Sequence, residues 1–169
     1  MMKIRLVYPA IFVACAGLLG FGLYLQHVGH LDPCPLCILQ RIAFIATGLT
    51  ALAAAFHSPQ KIGNAIYAIA LTIFAGIGAG IAGRHVWLQH TPRGKVVECG
   101  PGLDYMLDAF PLSKVLPMIF KGSGDCGSIV WSLLGLSIPG WALVWFILIA
   151  LAGLTLLIHT LRQRKHATA

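Results

Sequence analysis

The chain has 169 residues, of which 58% are hydrophobic and 10% charged, against roughly 45–50% apolar and 25% charged in an ordinary soluble domain. A water-soluble fold of this length is excluded, because it would need far more polar side chains to cover its surface, so lipid must cover part of it. The net charge of +7 does not point to nucleic acid, since most basic residues sit at the ends of apolar stretches, where they set membrane topology.

Four stretches approach the roughly 20 residues a helix needs to cross the hydrocarbon core. They are Leu6 to Gln26, Ile38 to Phe56, Ile62 to Ala82 and Ile138 to Thr160, and only the second contains a charged residue, Arg41. Lys3 and Arg5 precede the first span, Lys61 lies in the turn between the second and third, and Arg162, Arg164 and Lys165 follow the fourth. The positive-inside rule then places both termini and that turn in the cytoplasm. Loops at about 27–37 and 83–137 fall on the opposite side; the basic residues of the second are diluted by Glu98, Asp104, Asp108 and Asp125. The expected fold is all-α and integral to the membrane: a single membrane domain over 1–169, built as an antiparallel bundle of four transmembrane helices.

In the first span, Phe12-Val13-Ala14-Cys15 faintly resembles a lipoprotein cleavage site. Apolar sequence continues well past Cys15, too far for a signal peptide, so Cys15 is expected to be an inert thiol buried among helices. The third span is dense in small residues, at Gly76, Gly78, Ala79, Gly80, Ala82 and Gly83, which allow close approach of a neighbouring helix or of a flat ligand. In the second loop, Leu103, Met106, Leu107 and Phe110, then Leu112, Val115, Leu116, Ile119 and Phe120, recur at helical spacing, divided by Pro111 and Pro117. Short interfacial helices lying along the membrane face are expected there, with a small extramembrane core as the alternative. Trp87, Trp131, Trp141 and Trp145 suit an interfacial aromatic belt.

Four of the five cysteines fall on the non-cytoplasmic side: Cys34 and Cys37 as Cys-Pro-Leu-Cys in the first loop, Cys99 and Cys126 near opposite ends of the second. In an oxidising compartment both pairs can form disulfides. Cys-x-x-Cys is the spacing of a redox-active dithiol, because its short ring is constrained and readily opened. The same spacing serves zinc, with His27, His30, His85 and His90 nearby. A reduced pair is disfavoured in an oxidising compartment, however, and the histidine spacings match no closed structural site, so no metal is expected. An inert disulfide is the remaining alternative.

Asp32-Pro33 reads as a helix start, with Asp32 capping and Pro33 in the first position, although Pro35 restricts Cys34 away from helical angles. The cysteines would then lie near the positive end of a helix dipole, which favours thiolate. Arg41 follows Cys37 by four residues, on the same helix face about one turn deeper. Either it snorkels to the headgroups, or it stabilises the Cys37 thiolate and hydrogen-bonds a polar group of a lipid-soluble ligand. Arg84, His85 and His90 should emerge at the same outer rim, as solvated interface residues or as the lining of a ligand head pocket.

These residues carry a resemblance. Gln-His-Val ahead of Cys-Pro-Leu-Cys, the Cys-x-x-Cys-x-x-x-Arg run ending at Arg41, four spans, and a second loop closing with Gly122-Ser123-Gly124-Asp125-Cys126 together resemble the DsbB family of bacterial disulfide bond formation proteins over nearly the whole chain. Members of that family take part in the DsbA–DsbB–quinone chain that keeps the bacterial periplasm oxidising. The resemblance implies an inner-membrane enzyme with its cysteine loops in the periplasm. The pair matching Cys99 and Cys126 would accept electrons from a reduced periplasmic DsbA-like thiol oxidase, Cys99 forming the mixed disulfide. Cys126 would pair transiently with Cys34, and Cys37 would face ubiquinone or menaquinone from the membrane pool, above Arg41. Arg84, His85 and His90 would be the remaining candidates to contact the quinone.

Two other readings are compatible with the residues. A reductase of the vitamin K epoxide type also combines a four-helix bundle with cysteine pairs and quinone, but its Cys-x-x-Cys is expected on a late helix, whereas here it opens the second span. A non-enzymatic scaffold with structural disulfides would pass no electrons from a reduced dithiol to quinone.

Overall fold

The computed structural model describes residues 2–30, 33–57, 61–90, 111 and 131–165. Four long helices account for nearly all of these: α1 (Met2–His27), α2 (Pro35–His57), α3 (Lys61–His90) and α4 (Ile138–Lys165). Each contains an apolar stretch long enough to cross a membrane, at Leu6–His27, Pro35–His57, Ile62–His90 and Ile138–Gln163. Short connections turn α1 back into α2 and α2 back into α3, so α1, α2 and α3 run antiparallel in sequence order. The most extensive packing is between α3 and α4; α2 lies between α1 and α3, and α1 and α4 barely touch.

The distribution of side chains is what a lipid solvent dictates. Leu49, Ile66, Ile69, Ile73, Ile77, Leu148 and Leu151 face outward, while Gln40, Thr47, Asn64, His85 and Thr160 are buried. With no water to satisfy them, buried polar groups must bond inside the bundle. Thr47, Thr72 and Thr160 return their hydroxyls to the carbonyls of Ala43, Ala68 and Leu156 four residues earlier. At the end of the bundle away from the cysteines, the Tyr8 hydroxyl donates to Asn64 Oδ1 and Asn64 Nδ2 donates to Thr160 Oγ1, a chain linking α1, α3 and α4.

Close approach between the helices relies on missing side chains. The rings of Phe44 and Phe146 stack at 3.9 Å between centroids, and Phe146 lies against Gly78 so closely that a Cβ there would overlap its ring. One aromatic pair thereby joins α2, α3 and α4. Cys15 is buried in α1, and its Cβ would lie 3.2 Å from one added at Gly48 of α2; this is the burial among helices expected from the sequence. Of the small residues in α3, Gly78 serves helix packing in this way, while Gly76 and Gly80 have open space before them.

Two helix boundaries differ from the sequence expectation. α3 continues eight residues past Ala82 to His90, placing Arg84, His85 and His90 on its last two turns rather than in a loop. Ile81, Ala82, His85 and Leu88 are all buried, so the inward face persists after the apolar run has ended. Thirty residues at 1.5 Å rise give about 45 Å, more than the roughly 30 Å of hydrocarbon. α2 begins at Pro35, two residues after the expected Pro33, for a reason that belongs to the site.

Before α4, Ser132–Leu133 (β1) and Leu136–Ser137 (β2) pair antiparallel, Ser132 opposite Ser137 and Leu133 opposite Leu136. The two turn residues, Leu134 and Gly135, have φ of 54° and 79°, the left-handed pair that a two-residue hairpin requires. Trp131 meets the edge of Phe21 on α1 at 5.6 Å, and Trp141 Nε1 donates to the Leu133 carbonyl. The expected interfacial helices of Leu103–Phe120 fall outside the described residues, apart from exposed Pro111.

Candidate active site

The site forms where the C-terminal ends of α1 and α3 meet the N-terminal end of α2. Pro35 occupies the first helical position of α2, where its lack of an N–H costs nothing. Cys34 therefore stands in the capping position: its carbonyl accepts the first helical bond, from Ile38 N at 3.2 Å, and its sulfur accepts the N–H of Cys37 at 3.4 Å. A serine or aspartate oxygen usually plays this part; here a thiol does. The expected Asp32 cap is thus replaced by Cys34, because the proline best placed to start the helix is the one inside the Cys-Pro-Leu-Cys motif.

The geometry brings the two sulfurs together. Cys34 and Cys37 bring their Sγ atoms to 3.1 Å of each other, a non-bonded distance compared with about 2.05 Å in a disulfide. A small movement closes the bond. His85, from the last two turns of α3, places Nε2 at 3.7 Å from Cys34 Sγ, and the three donor atoms lie within 4.8 Å of one another. Among the described residues these three donors are one short of the four in a closed structural zinc site, and oxidation of the pair would remove two of them.

Arg41 is bonded to the neighbouring helix α1. Its Nη1 donates to Gln26 Oε1 at 2.6 Å and its Nη2 to the Gly22 carbonyl at 3.1 Å, both on α1. The cation is pinned across the α1–α2 seam, one helical turn below the cysteine pair. Arginine carries five N–H donors in a planar fork, so these two bonds leave donors for a ligand oxygen. On the other side of the cysteines, Gln40 Nε2 lies 3.0 Å from His85 Nδ1, with both residues buried.

Two further candidates lie on the same end of α3. Arg84 lies over the exposed Trp87 ring at 4.4 Å, and His90 Nδ1 is 2.9 Å from the carbonyl of Val86 in the preceding turn. Cys99 and Cys126 lie outside the described residues. Gln26 and Gln40 lie outside the sequence-predicted set, although a glutamine within an apolar span is itself a signal, since polar residues there tend to line functional interiors.

Relatives complete the picture. The profile of the family described as "Disulfide bond formation protein DsbB" matches residues 4–156. The chain belongs to the DsbB family. It is 45% identical over 163 residues to Disulfide bond formation protein B of Marinobacter nauticus, covering 96% of this chain and 97% of that one. It is 52% identical over 143 residues to the protein of the same name from Hahella chejuensis, covering 85% and 87%, and 48% identical over 153 residues to that of Aromatoleum aromaticum, covering 90% and 92%. DsbB-family membership agrees with the four-helix membrane architecture and the paired thiols, and indicates a role in disulfide bond formation.

Proposed function

We propose that this protein is an inner-membrane thiol:quinone oxidoreductase that reoxidises a periplasmic DsbA-like dithiol oxidase. The observation carrying the reading is the Cys34–Cys37 pair: two sulfurs 3.1 Å apart at the head of a membrane-spanning helix, against a buried histidine, with a tethered arginine one turn below. A pair so placed can exchange disulfides with a loop on one side and meet a lipid-soluble acceptor on the other.

The relay runs by exchange. A thiolate of the reduced partner attacks Cys99 in the Cys99–Cys126 disulfide, forming the mixed disulfide and releasing Cys126; the partner's second thiol then frees Cys99 as the partner's own disulfide closes. The Cys126 thiolate attacks Cys34, forming a Cys126–Cys34 bond as the Cys34–Cys37 bond breaks and Cys37 leaves. Cys99 then attacks Cys126, restoring the loop disulfide and leaving Cys34 and Cys37 reduced. Each exchange forms one S–S bond and breaks another. The N–H groups in the first turn of α2 are aimed where negative charge develops on Cys34.

The donor set fits ubiquinone or menaquinone, either of which supplies a two-electron, two-proton acceptor when bound. Arg41 would donate to one ring carbonyl from its fixed position beside Gly22 and Gln26, and His85 would hold a proton near the sulfurs. Arg84 and His90, at the outer rim of α3, would line the approach. Both termini face the cytoplasm in this reading, and both cysteine loops face the periplasm.

The test is turnover of purified protein with a reduced DsbA-like dithiol and ubiquinone. One quinone should be consumed per disulfide made, and Cys34→Ser or Cys37→Ser should abolish consumption, because each sulfur has a covalent role. Turnover retained in either variant rejects the relay.

A further inference from the structure

Gln40 and His85 are both buried, at 4% and 2% exposure. Removing two such polar groups from water without a bond between them is costly, and they meet with Gln40 Nε2 at 3.0 Å from His85 Nδ1. The direction of that bond has a chemical consequence. With the amide in this orientation its nitrogen donates, the ring nitrogen facing it is the bare one, and the single hydrogen of a neutral imidazole is carried on Nε2. Nε2 is the atom that stands 3.7 Å from Cys34 Sγ.

The placement follows from helix geometry. Gln40 comes three residues after Cys37, so it shares the face of α2 that carries the thiol. Arg41, one residue on, turns instead toward α1. A single turn of α2 therefore reaches one neighbour with its cation and the other with its amide, with the cysteine pair above.

We infer that Gln40 is a positioning residue that fixes the tautomer and ring plane of His85, so that the Nε2–H points at the sulfur of Cys34. In this arrangement His85 is a neutral hydrogen-bond donor to Cys34 when that sulfur is a thiolate, rather than a base that strips its proton. The inference rests on the proposed relay for its functional meaning, but the tautomer itself does not depend on turnover. At metal sites an outer partner that orients a histidine contributes about tenfold or more, and the same scale is expected here.

The experiment is nitrogen NMR of histidine-labelled, reduced protein in lipid nanodiscs, at a pH above the ordinary imidazole range. Parent protein should show His85 with a protonated Nε2 and a bare Nδ1. Gln40→Glu presents only acceptors to the ring and should transfer the hydrogen to Nδ1; Gln40→Met removes the partner and should give a mixture of tautomers. Oxidation of Cys34 and Cys37 by one equivalent of ubiquinone should slow about tenfold in Gln40→Met. A protonated Nδ1 in the parent overturns the proposal, as does the same tautomer in parent and Gln40→Glu. Should Gln40→Met fail to fold, the parent spectrum and Gln40→Glu still decide. Absence of quinone reduction by the parent is a separate result that strikes the relay and not the tautomer.

Discussion

The backbone N–H of Cys37 donates to the sulfur of Cys34, so the first thiol of the pair is also the cap of the helix that carries the second. Chemistry and folding meet on one atom, and substitutions of Cys34 separate them. Serine is among the best capping residues, whereas alanine cannot cap and costs about 0.5–2 kcal/mol. Cys34→Ser should therefore unfold at or above the parent temperature while losing all turnover, and Cys34→Ala should lose turnover together with about 1 kcal/mol. Thermal unfolding of the three proteins in one detergent checks this; equal stability of the serine and alanine variants contradicts the cap.

The Arg41 guanidinium is anchored by Gln26 and Gly22, and the anchor can be removed without touching the charge. A hydrogen bond to a charged group contributes about 1.5–3 kcal/mol, so Gln26→Leu should raise the apparent Michaelis constant for quinone by about tenfold or more. Arg41→Lys keeps the charge but loses the planar fork and should give partial activity with weakened quinone affinity; Arg41→Met should weaken it further. Quinone-dependent kinetics across the three variants checks this order. Parental constants in Arg41→Met remove Arg41 from the site.

Phe146 rests on Gly78, while Gly76 and Gly80 face open space. Adding one methyl at Gly78 must displace the Phe44–Phe146 stack, and overpacking of this kind costs about 1–3 kcal/mol. Gly78→Ala should lower the unfolding temperature, whereas Gly76→Ala and Gly80→Ala should leave it unchanged or raise it, since alanine is the better helix former. The comparison is a thermal series in detergent, and equal effects at all three positions contradict the packing described.

The chain Tyr8–Asn64–Thr160 lies at the opposite end of the bundle from the cysteines. Interhelical hydrogen bonds in membranes average about 0.6 kcal/mol, and Asn64 makes two to side chains of other helices. Asn64→Leu should cost about 1 kcal/mol in stability and leave quinone turnover intact at permissive temperature. A large loss of turnover in a folded Asn64→Leu protein would mean that the two ends are coupled.

Hydropathy alone located the spans, because a helix in lipid must be apolar over a fixed length, and Arg41 stood out as the sole charge inside one. The same logic closed the third span too early. Arg84, His85, Gln89 and His90 ended the apolar run, yet Ile81, Ala82, His85 and Leu88 kept their inward face; helical spacing carried information there that mean hydropathy did not. The cap was misplaced onto Asp32 because both Pro33 and Pro35 suit a helix start, and only the three-dimensional path of the loop chooses between them. Gln26, Gly22 and Gln40 take part through contacts between helices, and nothing local in the sequence marks a partner 15 to 45 positions away.

The central claim is that quinone oxidises the Cys34–Cys37 pair directly, without the second cysteine pair. It is tested by mixing fully reduced Cys99→Ser/Cys126→Ser protein with one equivalent of ubiquinone in the absence of oxygen, following quinone absorbance and locating the new disulfide by peptide mass spectrometry. The account predicts that one quinone is reduced for each pair of thiols lost, with the bond formed between Cys34 and Cys37. Unreduced quinone, or a disulfide that involves Cys15, would contradict it.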